Sequence, residues 1–494
     1  MDNMISKIRS FLILLAIIIS AIILITFSVS IISRHYSYSS IIFISLAYLF
    51  FAWLIYSLSK RFSIFQTLVI PFLLGLALRI IWLYTVNPLP IFDYFRYYSF
   101  MLEVKNHEPL TFFPAQTFFW VIMSLVLKLF PFIEPGTATQ FLLAFLQALT
   151  GVIIGKALMP FNRQIAITTA YLWALYPADV FFSGVLSTDL PQAFLTALLL
   201  LTISRWHLTQ SNKYLLLTGI VMMFVLLTRK AGLFMIVPVA LIPLIVATNY
   251  KNFSEIVKKY LSLLQGSLIA FIISILIASL ASKTFPPPKD YWWGNTTMLP
   301  LLAGTNFQHK GLWNKEDYNL YNSLPLDTRN KIVIDTAFQR LINIYTNPVK
   351  AFRFSSDKLK GLFNYYALYW SIDAPLTLIE SNKVPENIKE DFGFKYNQNH
   401  ISKLKRLQNL LIPVELAGLL TILVLALLGT IWIAHAKYVN NLIFAYLYSL
   451  IISTYIIAHM AFEVQGRYHH MLLPFIFAVA GWALCWMDKC RNGN

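Results

Sequence analysis

Residues 11–32 read FLILLAIIISAIILITFSVSII, an unbroken apolar run without a single charge. A helix of that length spans the ~30 Å hydrocarbon core of a bilayer while satisfying its own backbone hydrogen bonds. Lys7 and Arg9 precede it, as in a secretory signal. The run is longer than a signal peptide's apolar stretch and no A-x-A cleavage pattern follows, so a retained span is expected. Runs of the same kind recur near 41–59, 65–86, 137–158, 164–182, 189–204, 214–228, 231–247, 261–281, 409–434, 440–460 and 468–486, which predicts an all-α polytopic membrane protein of about twelve spans. Composition agrees. The 494 residues are 58% hydrophobic and 12% charged, whereas a soluble domain is about half apolar and a quarter charged. Cys485 and Cys490 form neither a disulfide framework nor a metal-ligand spacing. The net charge of +17 suits basic loops meeting anionic lipid headgroups, so membrane lipids are expected partners and nucleic acid is not.

Charge also assigns sides. Residues 110–130 are apolar but interrupted by Pro114 and Gln116 and end at Lys128; their clean stretch, 118–127, is short for a span. If this segment stays outside and the amino terminus is cytoplasmic, 14 basic residues fall inside against 7 in the short outer loops; if it crosses, the count becomes 8 against 13. The positive-inside rule favours the first arrangement, with 110–130 as a half-buried helix on the outer surface. The expected divisions are two additional amino-terminal helices (1–64), a transmembrane core (65–282) with first outer loop 87–136, an outer loop domain (283–406) and carboxy-terminal helices (407–494). The 283–406 stretch, entered through Pro286–Pro288, is too aromatic for disorder and is expected to fold as a small, mostly helical cap. No two-halves repeat of the transporter kind is present.

Five stretches on the expected outer face hold chemistry-bearing residues. In NPLPIFDYFRYYSF (87–100), Asp93 lies just past the membrane edge with Arg96 and Tyr97. A carboxylate there suits proton abstraction from a hydroxyl; the plain alternative is a helix-start Asp, or an ion pair with Arg96 or Arg79. In YPADVFFSGVLSTDLPQAF (176–194), Asp179 and Asp189 bracket a hairpin. Asp189 belongs to a plausible cap, with Pro191 in the first turn, and Asp179 orients a substrate or faces solvent. In LLTRKAGLF (226–234), Arg229 and Lys230 either snorkel to headgroups or bind a lipid phosphate. In HMAFEVQGRYHHMLLPF (459–475), Glu463 and Arg467 have the i, i+4 spacing of a helical pair, beside Tyr468, His469 and His470. The adjacent histidines point to different sides of a helix and no H-E-x-x-H pattern is present, so no metal site is expected. In LLAGTNFQHKGLWNKEDYN (301–319), Asn306 and Trp313 are sugar-contacting types that equally pack a loop, and a helix is predicted from about Asn314, with Glu316 and Asp317 in its first turn.

In order and sidedness, the Pro-containing loop with Asp93 and Tyr97, the non-crossing apolar segment, the YPADVFFSGVLSTD hairpin, the TRKAGL turn and the FEVQGRYHH turn resemble the GT-C superfamily of glycosyltransferases. The likeness is nearest to the protein-mannosyltransferase and aminoarabinose-transferase-like branch. GTNFQHKGLWNKED (304–317) is similar to a segment of bacterial members, and the resemblance runs from about residue 65 onward. It implies a GT-C-like helical bundle and a polyprenyl-phosphate sugar as donor. The sugar would pass with inversion to a hydroxyl on the extracytoplasmic face of the cell membrane. Asp93 would be the general base, and Arg229, Lys230 and Arg467 would hold the donor phosphate. Arg96, Tyr97, Asp179, Asp189, Glu463, Tyr468, Asn306 and Trp313 would contact substrate. No cofactor is required by the resemblance, and a divalent cation is compatible with it. Asp93 is followed by Tyr94 where protein mannosyltransferases carry an Asp-Glu pair. NHEPLTFFP (106–114) represents the family's His/Glu-Pro-Pro stretch only loosely, and the outer loop is too small for a β-trefoil insert. A glycan or lipid acceptor is therefore expected in place of a protein. The rival readings are a flippase or transporter of lipid-linked oligosaccharide, a polysaccharide polymerase or ligase, and a non-enzymatic assembly scaffold.

Overall fold

The computed structural model describes residues 2–32, 38–106, 108, 118–246, 253–284, 298–364, 366–381, 398–435 and 442–492. Every regular element among these residues is helical. In chain order, α1 (Asp2–Ile32), α2 (Tyr38–Leu58) and α3 (Ile64–Val86) lead to α4 (Asp93–Asn106) and α5 (Phe118–Leu129). Next come α6 (Pro135–Leu158), α7 (Arg163–Ala174), α8 (Pro177–Phe182), α9 (Asp189–Thr209), α10 (Asn212–Thr228), α11 (Ile236–Val246) and α12 (Phe253–Thr284). The stretch between α12 and the next long helix, here called the loop domain, holds α13 (Leu299–Gly304), α14 (Lys315–Ser323), α15 (Arg329–Tyr345), α16 (Pro348–Leu362) and α17 (Ala374–Glu380). The chain then returns through α18 (Gln398–His435), α19 (Leu442–Ala461) and α20 (Leu473–Asn492). Among the described residues eight helices are long and apolar enough to cross a membrane, and shorter apolar helices lie at 119–129, 212–228 and 230–245.

Several expected spans differ in detail. The run 164–182 is two helices, because Pro177 lacks an N–H and pushes Tyr176 out of helical geometry. The run 231–247 opens as a 3₁₀ turn, Lys230–Met235, before α11, and 468–486 opens as another, Gly466–Leu472, before α20. At twelve residues α5 is too short to span, and the 109–117 part of its expected segment lies outside the described residues. So do Pro286–Pro288 and most of 106–114. Helix α18 runs unbroken through the expected 406/407 boundary; its 38 residues are about 57 Å of helix at 1.5 Å per residue, well beyond a bilayer. Helices α1 and α2 pack on α18, α1 also on α19 and α2 on α7, so that Ala16, Ile23, Phe27 and Ala52 join the main hydrophobic core.

Close helix contacts use small residues, as membrane helices do where lipid supplies no hydrophobic drive. A side chain at Gly219 or Gly266 would strike the facing backbone between α10 and α12; Gly429 plays the same part between α18 and α20. At one end of the bundle, the turn after α3 starts at Asn87, whose left-handed φ of 46° ends the helix. Gln140 of α6, buried, donates from Nε2 to Pro88 O (3.3 Å) and Gly184 O (3.1 Å). One amide thus pins the turn that leads to Asp93 against the hairpin that leads to Asp189.

Candidate active site

Four chain segments converge at this end. Asp93 is the first residue of α4, and Tyr94 behind it is fully buried. Asp189 is the first residue of α9. Thr188 holds the cap position without a side-chain hydrogen bond, and Ser187 anchors Asp189 by donating from Oγ to Oδ2 (2.6 Å) and accepting from its backbone N–H (3.0 Å). The expected capping role therefore gives way to a carboxylate turned toward cations. Arg229 follows α10 in extended geometry, and its Nη1 pairs with Asp189 Oδ1. The turn after it folds back over α10 because Gly232 lies against the Val225 carbonyl, where a Cβ would sit 2.8 Å from the oxygen.

Arg467 is the hub. Its Nη1 donates to the Tyr94 hydroxyl, its Nη2 lies 3.7 Å from Asp93 Oδ2, and its Nε lies 4.0 Å from Asp189 Oδ2. The guanidinium carbon sits 4.6 Å from the Trp370 ring centre and 5.1 Å from that of Tyr94, within cation–π range. Arg229 lies 4.6 Å over the Tyr468 ring. The two carboxylates differ in access: Asp93 is 62% exposed and Asp189 3%. Burial raises the Tyr94 hydroxyl's pKa, partly offset by Arg467, so this phenol stays neutral.

Glu463 does not pair with Arg467 on a helix face as its spacing predicted. Residues 463–465 are non-helical and Arg467 lies in the 3₁₀ turn that begins at Gly466, which breaks the i, i+4 geometry. The Glu463 carboxylate instead accepts from Gln465 Nε2 and, at 3.5 Å, from the Tyr468 hydroxyl. Burial raises its pKa, against the opposing pull of Gln465 and Arg467. The loop domain clasps this turn. Glu463 N–H donates to Pro300 O (2.7 Å) and Val464 N–H to Gly311 O (3.1 Å). Buried Lys358 donates from Nζ to the carbonyls of His459 (2.7 Å), Met460 (3.1 Å) and Phe462 (2.7 Å), a cation on the negative end of α19. Burial lowers its pKa to about 7, with Glu463 opposing.

The other expected residues are placed as follows. Tyr97 stacks on Trp120 (5.0 Å between ring centres, 18°). Arg96 is exposed on α4 and Lys230 is half-buried at the start of its 3₁₀ turn. Asn306 bonds Asp317 through Nδ2 (2.9 Å) and receives the His309 N–H (3.2 Å), so its amide is spent on the loop's own fold. Trp313 is exposed beside Tyr318. Asn314 caps α14 and Glu316 and Asp317 lie in its first turn, as predicted. A cleft of about 340 Å³ lined by Asn306, Phe307, Glu316, Arg340, Asn343 and Lys350, among others, opens in the loop domain.

Asp179 is a correction. It neither faces solvent nor reaches the Arg467 hub, but lies wholly buried with Arg79, whose Nε and Nη2 both donate to Oδ2. His470 Nε2 is 3.0 Å from Oδ1, and Tyr366 meets the other side of that imidazole. Nearby, buried Glu415 accepts the backbone N–H groups of Tyr366 (2.8 Å), Ala367 (2.9 Å) and Leu368 (3.0 Å). Sequence reasoning missed this interior cluster, although Arg79 and Glu415 inside apolar runs were its signal. It also missed Tyr94, Trp370 and Lys358, which carry no pattern of their own. Among the described residues no group of three His, Cys, Asp or Glu side chains is placed to hold a metal ion. Where a cation would bridge Asp93 and Asp189, the Arg467 guanidinium stands.

No protein-family model matches the sequence, and no curated protein matches it. Among solved structures the chain is similar to the Archaeoglobus fulgidus oligosaccharyltransferase in complex with zinc and sulfate, at 15% identity and a TM-score of 0.31, over 81% of this chain and 54% of that one. A second structure of that protein, tethered by a disulfide to an acceptor peptide containing the NVT sequon, gives 15% identity and a TM-score of 0.30 over 86% and 56%. The chain thus spans about half the length of the solved chains it matches.

Proposed function

We propose that this protein is a membrane glycosyltransferase of the GT-C type. It moves a sugar from a polyprenyl-phosphate donor to a hydroxyl of a glycan or lipid acceptor on the extracytoplasmic face of the cell membrane. The observation that carries the proposal is the hub itself. Arg467 meets Tyr94, a residue 373 positions away in sequence, and is drawn between an exposed carboxylate and a buried one at one end of a helical bundle. An open base beside fixed cations is the equipment that transfer from a phosphate leaving group requires.

Asp93 takes the acceptor's hydroxyl proton as that oxygen bonds to the anomeric carbon. The bond from that carbon to the phosphate oxygen breaks with inversion, and polyprenyl phosphate departs with the electron pair. Asp189 holds Arg229 and Arg467 in register. A guanidinium has five N–H donors, so those that Asp189 leaves unused reach phosphate oxygens, with Lys230 adding charge. Because the cations are preorganised by Asp189, Tyr94 and Trp370, little rearrangement is needed as charge develops. Arg96, Tyr97 and Tyr468 serve as substrate contacts in this reading.

The test is transfer of radiolabelled sugar from synthetic polyprenyl-phosphate sugars by the purified full-length protein, wild type beside Asp93→Asn. Loss of transfer in a folded Asp93→Asn protein supports both the class and the base. Unchanged transfer moves the base elsewhere, and absence of wild-type transfer across donor and acceptor panels overturns the enzyme reading.

A further inference from the structure

The loop domain carries an apolar surface that nothing in the transfer site uses. Helix α15 turns Ile334, Phe338, Ile342 and Tyr345 outward on one stripe, Phe338 at 60% exposure. At the start of α16, Val349 and Phe352 are 78% and 79% exposed. Isolated surface apolar residues are ordinary, but a continuous stripe continued around a hairpin corner marks a contact surface.

Three observations identify what that surface meets. First, α16 is graded along its length: Lys358 and Leu362 at its carboxy end are fully buried, while Val349 and Phe352 at its amino end are not. It contacts the Gly466–Leu472 turn, α19 and also α1. Second, α1 is a rim helix whose Phe11, Leu14, Ile18, Ile22, Ile25 and Ile32 are exposed at helical spacing, the stripe a span turns to lipid. The α15–α16 hairpin is therefore packed, through α16, on a span with a lipid-facing stripe. Third, α15 and α16 together carry seven basic residues and two acidic ones, among them Lys331, Lys350 and Arg353, exposed between the apolar positions. Exposed bulky apolar groups interleaved with cations, on helices of alternating character, is the pattern of an interfacial helix on anionic lipid.

We propose that the α15–α16 corner dips into the headgroup layer of the bilayer the chain spans, seating Val349, Phe352 and Phe338 among acyl chains and Lys350 and Arg353 among anionic headgroups. The loop domain is then tethered at two points, to the bundle through Lys358 and to the lipid surface through the corner. This rests on the membrane spans and not on the transfer reaction.

The test uses the full chain with Cys485→Ser and Cys490→Ser, reconstituted in vesicles of phosphatidylglycerol and phosphatidylethanolamine. Single Val349→Cys, Phe338→Cys, Asn322→Cys and Ile25→Cys variants carry a nitroxide label. Both test positions are already exposed, so labelling leaves the fold in place, checked by monodispersity. Collisional relaxation is read with oxygen, which partitions into lipid, and with a water-soluble nickel chelate. The expected result is an oxygen-to-nickel ratio at Val349 and Phe338 several-fold above that at Asn322 and approaching that at Ile25. A ratio equal to that at Asn322 overturns the proposal by showing a free aqueous surface. Protection from both reagents overturns it by showing a protein surface there, whether another part of this chain or a partner.

Discussion

Asp179 and Asp189 bracket one short hairpin and each holds an arginine, yet the two pairs have different fates. Around Asp179 the cluster is closed. Arg79, His470 and Tyr366 surround the carboxylate, all are buried, and Arg79 spends further N–H groups on the carbonyls of Gly75 and Ala174. Around Asp189 it is open on one side, because Arg467 passes on to Asp93, which is exposed. A closed network of charge in a low-dielectric interior specifies shape, since removing any member strands its partners. An open one leaves an exposed carboxylate beside fixed cations, the feature on which the proposed transfer rests. The lesson is that an Arg–Asp pair in a membrane protein is informative only with its remaining partners counted.

That contrast is exposed to experiment at four points. The largest effect belongs to Asp93→Asn: loss of a general base lowers transfer by about a hundred- to ten-thousand-fold. Its unfolding midpoint in detergent should match wild type. A large fall in stability instead would move Asp93 to the structural side. Asp179→Ala is the mirror experiment. Breaking a buried pair destabilises by about 3–5 kcal/mol, so the protein should unfold early, and a normally stable Asp179→Ala protein lacking transfer would erase the distinction. Tyr366→Phe, which removes one interior hydrogen bond to His470, should lower stability by about 0.5–1.5 kcal/mol while transfer per folded molecule stays constant.

The smallest effect is expected at Glu463→Gln, with transfer within about threefold of wild type, under ~1 kcal/mol. Burial raises the Glu463 carboxyl's pKa in the folded protein, so the folded state binds this proton more tightly than the unfolded chain. Its contribution to stability is present below the ordinary carboxylate range and is lost as the pH rises through the raised value. Melting temperature followed against pH should therefore fall across that window in wild type, and fall less in Glu463→Gln. A loss of transfer as deep as that of Asp93→Asn would place Glu463 in the chemistry.

Much of this architecture was legible in the residue order. The run at 11–32 and its repeats predicted helices, and the interruptions at Pro114 and Gln116, which leave only 118–127 clean, predicted the short α5. The turn residues of GTNFQHKGLWNKED predicted the helix capped by Asn314. What misled was spacing read as if every segment stayed helical. Glu463 and Arg467 have the interval of a helical pair, but Lys358, Gly304 and Gly311 draw the 461–466 turn onto the loop domain and unwind it. Likewise 164–182 reads as one mostly apolar run, and one proline divides it, with Asp179 buried just past the break.

The sequence by itself determined that this is an all-helical membrane chain and which end of it collects the acids and arginines. Those properties are local: a span is decided by some twenty consecutive residues that satisfy their own backbone, and polar groups are expelled to its ends. Which acid is left open and which is sealed in was decided only by the tertiary structure. Asp179 meets Arg79 a hundred positions away and Arg467 meets Tyr94 across most of the chain, and burial, the quantity that separates an open carboxylate from a buried strut, exists only once those distant segments have packed.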